Sequence, residues 1–430
     1  MKKIYYIIGL LALMVVAVQA QTLTVEVCKQ MALENNYELK NRYLEQQASS
    51  QGRREAFTNF FPKISAIGGY MGANKGLVEM QGLNPATGEP MLNSFLKNGK
   101  FAALTFIQPV FAGGQIVNGN KLARIGEEVS VLQATLTEEQ VEKKTEHYFW
   151  QVVQLEEKLK TIGAMEELLK TIRKDVEVAI QAGVTTRNDL LRVELQEYEL
   201  ESNRLKLENG IKTSKLLLLQ LIGSKEKEII LKYEAVQNPE SPLDLYVNAS
   251  DAVLSRPETA MLDYNIKANK LQKKLEVGKR LPTVGVGASY FYHDLLDSDY
   301  NAGVVMANVS IPISDWWGGS HAIKRQSLKL KQAENERQNN IELLTVQIEQ
   351  SWNELQESYK QVLLAQKSIA SSEENMRMNH ETYRAGTITL SDLLEAQSLL
   401  QQSKDQYVEA YTNYKMKETE YRILTNQELN

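Results

Sequence analysis

Cysteine is almost missing from this chain: Cys28 is the one thiol in 430 residues, so no disulfide framework holds the fold together. Proline and glycine are scarce too, at 9 and 24 residues, which argues against a loop-rich design and for long regular elements. Basic charge is not in excess. The formal net charge is −5, so there is no electrostatic footprint for nucleic acid. The four histidines, His147, His293, His321 and His380, are scattered and have no metal-ligand spacing. There is no nucleophile elbow and no phosphate-binding glycine loop, and GVGASY at 285–290 lacks the dinucleotide fingerprint. These absences leave no catalytic constellation, no metal site and no cofactor site, and the chain is not expected to be an enzyme.

After the first twenty residues, no stretch is long and apolar enough for a membrane helix. Residues 1–20 are different. Lys2 and Lys3 precede an apolar run from Ile7 to Val18, and Val18-Gln19-Ala20 offers a small-residue cleavage site. This is the pattern of a secretory signal peptide. Without the two leader lysines the balance is 47 basic to 54 acidic residues, a net charge of −7. Cys28 follows the bulky, charged Val25-Glu26-Val27 rather than a lipid-attachment signal, and reads as a buried thiol.

What the chain does contain is a long-period duplication. IQAGVTTRNDLLRVEL at 180–195 returns in altered form as YRAGTITLSDLLEAQS at 383–398. Gly183 matches Gly386, Asp189 matches Asp392, and Leu190-Leu191 matches Leu393-Leu394, all at an offset of 203 residues. Pro109 pairs with Pro312 at the same offset, whereas Pro62 pairs with Pro282, and Asn36-Tyr37 with Arg256-Pro257, at 220. The interval between the paired prolines is 47 residues in the first copy and 30 in the second, so the first repeat carries the longer loop.

Hydrophobic period gives each repeat the same predicted order: helix, strand, loop, strand, very long helix, tight turn, helix. The first repeat (21–222) is expected to hold a helix over 23–60, strands at 62–72 and 100–110 around a loop at 73–99, and a turn at 182–187. The second (251–430) holds a helix over 251–279, strands at 282–292 and 302–313 around a loop at 293–301, and a turn at 385–390. Residues 223–250 link them. Val305, Ala307, Val309, Ile311 and Ile313 alternate with the period of two that marks a strand. Ile348, Trp352, Leu355, Tyr359, Val362, Gln366 and Ile369 alternate steps of four and three, a coiled-coil seam. The first long helix, of about 65 residues, would be about 100 Å long.

Export, four strands of membrane-crossing length and long helices set a problem. Open strand edges cannot face lipid, because their backbone groups stay unsatisfied. The smallest closed barrels use about eight strands, and one chain supplies only half that number. Several chains must pool their strands, or the strands do not span a membrane.

At this point the sequence resembles the TolC-like outer-membrane efflux protein family along essentially the whole mature chain. The resemblance rests on ALENNYELK (32–40), FPKISAIGGY (61–70), QPVFAGGQ (108–115), RPETAMLDY (256–264), LPTVGVGASY (281–290), IPISDWWGGS (311–320) and the two turn segments. It implies a mainly α fold with a membrane β-barrel. A homotrimer would form a 12-stranded barrel and a 12-helix periplasmic α-barrel, with 223–250 contributing to an equatorial belt. The implied function is the outer-membrane exit duct of a tripartite efflux pump. Its partners would be a periplasmic adaptor (membrane fusion) protein, an inner-membrane pump reached through it, and outer-membrane lipid. A type I protein secretion channel is an alternative, as is a periplasmic coiled-coil scaffold without a pore.

The resemblance also implies site residues. Asp392 and Glu395, three apart on one helix face, would line the closed periplasmic mouth, although Asp392 also suits a helix N-terminus capped by Ser391 or Thr389. Asp189 and Tyr383 would help to hold that mouth shut. Ile388 stands where the resemblance implies an arginine, with Arg384 and Arg187 nearby. Gly183 and Gly386 would form the hairpin tips beside which the adaptor docks. Pro62, Pro109, Pro282 and Pro312 are expected where strand meets helix. Tyr70, Phe106, Tyr290, Phe291, Tyr292, Trp316 and Trp317 are candidates for aromatic girdles at the lipid interfaces.

Overall fold

A computed structural model describes residues 21–427 except 97, 227, 234–238 and 296–298, and gives the backbone alone for 21 and 92–95. The expected leader, 1–20, lies outside the described residues, as do parts of the 223–250 link. In chain order the elements are β1 (Gln21–Leu23), α1 (Val25–Asn35), α2 (Tyr37–Thr58), β2 (Lys63–Gly72), β3 (Val78–Leu83), β4 (Pro90–Phe95), β5 (Asn98–Ala112), α3 (Gln115–Gln181) and α4 (Arg187–Leu221). Then come β6 (Ile229–Leu231), a short 3-10 turn (Pro242–Leu245), α5 (Ala249–Ser255), α6 (Pro257–Gly278), β7 (Thr283–His293), β8 (Tyr300–Ser310), α7 (Asp315–Arg384) and α8 (Leu390–Leu424). The described residues form two compact units, one within 44–132 and 260–339, the other within 21–43, 133–259 and 340–427.

The first unit is built on a four-stranded antiparallel sheet in the order β2-β5-β7-β8. Directly paired residues share a face, so the register sorts the side chains. One face carries Ile64, Leu104, Phe106, Val286, Ala288, Tyr290, Val305 and Val309. The other carries Ser65, Thr105, Gly287, Ser289, Asn308 and Ser310 among its residues, with Thr105 and Ser289 hydroxyls 3.2 Å apart. The apolar face is uncovered: Val305 is 86% exposed, Ile64 67% and Val309 60%. Among the described residues, β2 and β8 each pair on one side only.

Three sequence expectations change here. The loop expected at 73–99 contains a hairpin, β3 against β4, with Val78 opposite Phe95 and Leu83 opposite Pro90. This hairpin occupies the extra length of the first repeat; its Gly, Pro and Asn content hides the strands. Pro109 does not sit where strand meets helix. It lies inside β5, where the β5–β7 register shifts between Pro109 and Phe111. A bulge tolerates the missing N–H of proline and places Phe111 opposite Val284, on the apolar face. Pro62, Pro282 and Pro312 do stand between helix and strand. The third change is that each helix expected as continuous, over 23–60 and 251–279, is broken at matching points, Asn36 and Arg256.

Both breaks have a local cause and belong to the helical unit. Asn36 is extended, and its Oδ1 accepts from the amides of Glu38 and Leu39 at 2.9 and 3.2 Å, starting a new helix. Its Nδ2 donates to the Leu221 carbonyl at the end of α4. Arg256 precedes Pro257, which disfavours helix at the preceding residue. Its guanidinium, almost wholly buried, donates to Glu139, Glu258 and the Ile423 carbonyl in the last turn of α8. The two repeats thus use different side chains to the same end, and each ties its helix break to the far end of a hairpin.

The helical unit buries its apolar stripes. Ile348, Leu355 and Val362 of the seam in α7 are at most 1% exposed, with Trp352 and Tyr359 packed beside them. Gln366 is exposed, so the buried stripe does not follow the predicted seam beyond Val362. Ile162, Leu169, Ile172 and Val176 do the same in α3. The helix α1 is held by a buried Lys29–Glu146 pair at 2.8 Å, and Thr419 also donates to Glu146. Cys28 lies fully buried, and burial, then the charge of Glu26, pushes its thiol up to about 12. It therefore stays protonated and unreactive.

Candidate functional site: the two hairpin tips

Each long helix ends in the same device. After α3, Gly183 adopts φ +74°; its amide donates to the Ile180 carbonyl and the Val184 amide to Ala179. After α7, Gly386 adopts φ +76°, with matching bonds from Gly386 to Tyr383 and from Thr387 to Thr382. These are Schellman caps, which use left-handed glycine to satisfy the last carbonyls of a helix. A Cβ at either glycine would meet nothing within 4 Å, so backbone conformation alone dictates the residue.

The next helix starts differently at the two tips. Thr389 is the N-cap of α8, and Asp392 is its third residue. The Thr389 hydroxyl accepts from the Asp392 amide, while the Asp392 carboxylate accepts from the Thr389 amide at 2.9 Å. This reciprocal capping box holds the Asp392 carboxyl below its ordinary value, through the Thr389 side chain and then its backbone. At the first tip, Thr186 caps α4 with no side-chain bond, and Asp189 instead accepts from the Thr185 hydroxyl. Ile388 occupies the place of Thr185 in the second tip and offers no such donor.

The structure brings some predicted residues together and separates others. Asp392 and Glu395 are both on one face of α8, and both are exposed. Tyr383 is partly buried in the apolar cluster near the tips, with Leu190 and Leu394. Burial, then the charges of Asp189 and Asp175, push its phenol above its ordinary value, so Tyr383 is a neutral donor beside two carboxylates. Arg192 of α4 donates to Ser391 of α8, a direct link between the two hairpins.

Sequence reasoning missed Asp175. It also missed His380, whose Nε2 lies 3.3 Å from Asp175 Oδ2. Arg384 Nε is 3.9 Å from the same oxygen. The available signal was the spacing of His380, Tyr383 and Arg384, which puts all three on one face of the last turns of α7. Arg173 was missed as well. It bridges α3 to α4 by pairing with Glu177, Glu194 and Glu197.

Among the described residues, no group of three or more His, Cys, Asp or Glu side chains is placed to hold a metal ion, and no helix is long and apolar enough to cross a membrane.

Comparison with known proteins places this arrangement. Residues 248–426 match the family described as outer membrane efflux protein. No curated protein sequence matches the chain at a significant level. Among solved structures, CusC, studied for folding and transmembrane channel formation, superposes with a TM-score of 0.80 at 13% identity, covering 94% of this chain and 92% of that one. The CmeC outer membrane channel of Campylobacter jejuni gives 0.78 at 16% identity, covering 93% and 85%. The open state of the MtrE outer membrane channel of Neisseria gonorrhoeae gives 0.75 at 14%, covering 94% and 89%. Residues 248–426 thus belong to the outer membrane efflux protein family, and the chain over nearly its whole length has the fold of these channel proteins.

Proposed function

We propose that the chain is the outer-membrane exit duct of a tripartite efflux pump and conducts small molecules passively to the exterior. The observation that carries this reading is the sheet. It has two edges left unpaired among the described residues, an apolar face open to its surroundings, and an opposite face where Ser65, Thr105, Ser289, Asn308 and Ser310 stand among Ile67, Ile107, Phe291 and Met306. Water is a poor solvent for the first face, and lipid is a poor solvent for the free edges. Pooling the sheets of three copies into one closed barrel of twelve strands resolves both. The apolar face then meets lipid, and the face with Ser65, Thr105, Ser289, Asn308 and Ser310 turns to an aqueous lumen.

Aromatic placement supports the same orientation. Tyr290 and Tyr292 lie towards one end of the sheet, while Val284 opposite Phe111 lies towards the other. Eight residues separate Val284 from Tyr292, about 27 Å along an antiparallel strand. That is close to the apolar band of about 25 Å on outer-membrane barrels. Trp316 and Trp317 lie beyond the last strand and are 50% and 82% exposed.

In this reading three helical units supply twelve helices to a periplasmic tube. Asp392 and Glu395 form carboxylate rings at its mouth, and Asp189 with Tyr383 helps to hold that mouth closed. The periplasmic adaptor docks beside the tips at Gly183 and Gly386 and connects the duct to an inner-membrane pump. The duct carries out no chemistry of its own and needs no cofactor. The test is fractionation followed by single-channel recording. The chain should require detergent for extraction and conduct ions in planar bilayers. The double variant Asp392→Asn with Glu395→Gln should lose cation preference, because carboxylate rings favour cations. A water-soluble chain without conductance would overturn the reading; conductance with unchanged selectivity would remove the two residues from the pore.

A further inference from the structure

We propose that Phe101, Phe291, His293 and Tyr300 form an aromatic belt inside the exit end of the barrel, and that this belt is a weak binding site for planar aromatic compounds on their way out. The inference rests on the duct reading above, which turns this face to the lumen, and it names a class of cargo that the reading leaves open.

Strand register puts the four rings on one face at nearly one level. Gly69 of β2, Phe101 of β5, His293 of β7 and Tyr300 of β8 are direct partners in a single row across the sheet. Phe291 stands in the next row, with Ile67, Ala103 and Ala302. Both rows lie on the face of Ser65, Thr105 and Ser289, at the end of the sheet away from the helices. Phe291 therefore points away from its chain neighbours Tyr290 and Tyr292 and does not share the apolar face with them.

The rings make one surface. Phe291 and His293 are near parallel, at 9°, with centroids 6.4 Å apart. His293 and Tyr300 stack at 28° and 5.4 Å, and the Phe291 and Tyr300 centroids are 6.0 Å apart. Phe101 extends the surface to β2. A Cβ at Gly69 would fall 2.6 Å from the Phe101 Cζ, so the ring lies over the glycine and fills the place of a side chain there. Phe101 is 36% and Tyr300 51% exposed, and Phe291 and His293 are half-buried, so the ring surface is open to a solute.

The chemistry of the face selects its occupant. From the row of Ser65 to the loop end, no paired residue on this face is Asp, Glu, Lys or Arg. Charge pairing is therefore not the means of recognition. Planar rings pack on open aromatic surfaces in offset or edge geometry. One row inward of Phe291, the Thr105 and Ser289 hydroxyls offer hydrogen bonds to ring heteroatoms. A neutral planar heteroaromatic compound suits both features. Three copies would set four rings each around the exit, so a solute leaving one site meets another. Weak sites in series let a solute both enter and leave.

Single-channel recording of the reconstituted full-length assembly tests this, with caffeine, a neutral planar ring system, added on the barrel side. A neutral probe keeps the carboxylates of the mouth out of the comparison. Caffeine should block the current in a saturable way. Sucrose, neutral but not aromatic, should lower the current only as it lowers bulk conductivity. The triple variant Phe101→Leu, Phe291→Leu, Tyr300→Leu keeps apolar side chains and removes the planes, and its half-blocking caffeine concentration should rise at least about fivefold. Conductance in salt alone checks that the variant barrel assembles. If it does not assemble, Tyr300→Leu by itself, at the most exposed ring, should raise that concentration about twofold. A conducting wild-type chain that treats caffeine like sucrose, or variants blocked as strongly as wild type, would overturn the belt and leave the duct intact. Absence of conductance in every form would overturn the duct reading and the belt with it.

Discussion

The sheet unit and the helical unit treat apolar residues in opposite ways. In the helical unit Leu355, Val362, Leu169 and Ile172 are fully buried along seams. In the sheet unit Val305, Ile64, Leu104 and Tyr70 are all more than half exposed. Both segments are legibly amphipathic in sequence, with a period near 3.5 in one and of two in the other. One amphipathic surface closes on its own chain. The other is finished by something the chain does not contain. In the proposed duct, lipid meets the exposed apolar face and further copies of the same strand set meet the open strand edges.

Paired substitutions break this comparison most forcefully. Leu355→Ala should destabilise the helical unit by about 2–5 kcal/mol through lost burial and a residual cavity, read as a lower thermal midpoint. Val305→Arg is harmless on a water-exposed strand. On a lipid-facing one it should cost about 2–4 kcal/mol near the bilayer midplane, read by denaturant titration in bilayers or detergent. A negligible effect of Val305→Arg in bilayers would remove lipid from that face.

A second comparison, between the two tips, invites a smaller and sharper test. Thr389 closes a capping box, whereas Thr186, its equivalent, caps α4 without a side-chain bond. Thr389→Ala should therefore cost about 1 kcal/mol. Thr186→Ala should cost almost nothing. Hydrogen exchange of the first-turn amides of α8 and α4 separates the two. Equal losses would mean that the tips are interchangeable and that Asp189 is no freer than Asp392 to reach across to the other hairpin.

These contrasts also mark what the sequence makes legible. The duplication, the four strands and the tip glycines each follow from a local rule: a shared offset, alternation, or a turn that only glycine enters without strain. The breaks at Asn36 and Arg256 were hidden because helical patterning continues on both sides, although Pro257 was a usable warning. Pro109 was misplaced because a bulge inside a strand and a strand end give the same proline signal. The equivalence of Asp189 and Asp392 was readable as position and unreadable as role, since a single neighbour, Thr185 against Ile388, redirects the first carboxylate. Asp175 and His380 escaped notice because isolated polar residues on a long helix usually face water. Only the approach of the two hairpins brings these two together.

The most direct test of the account is the mass of the complex extracted from outer membranes in mild detergent, measured by light scattering with the detergent contribution subtracted. Three chains per particle, dispersed only with detergent, is the expected result. A single chain that remains in solution without detergent would contradict it.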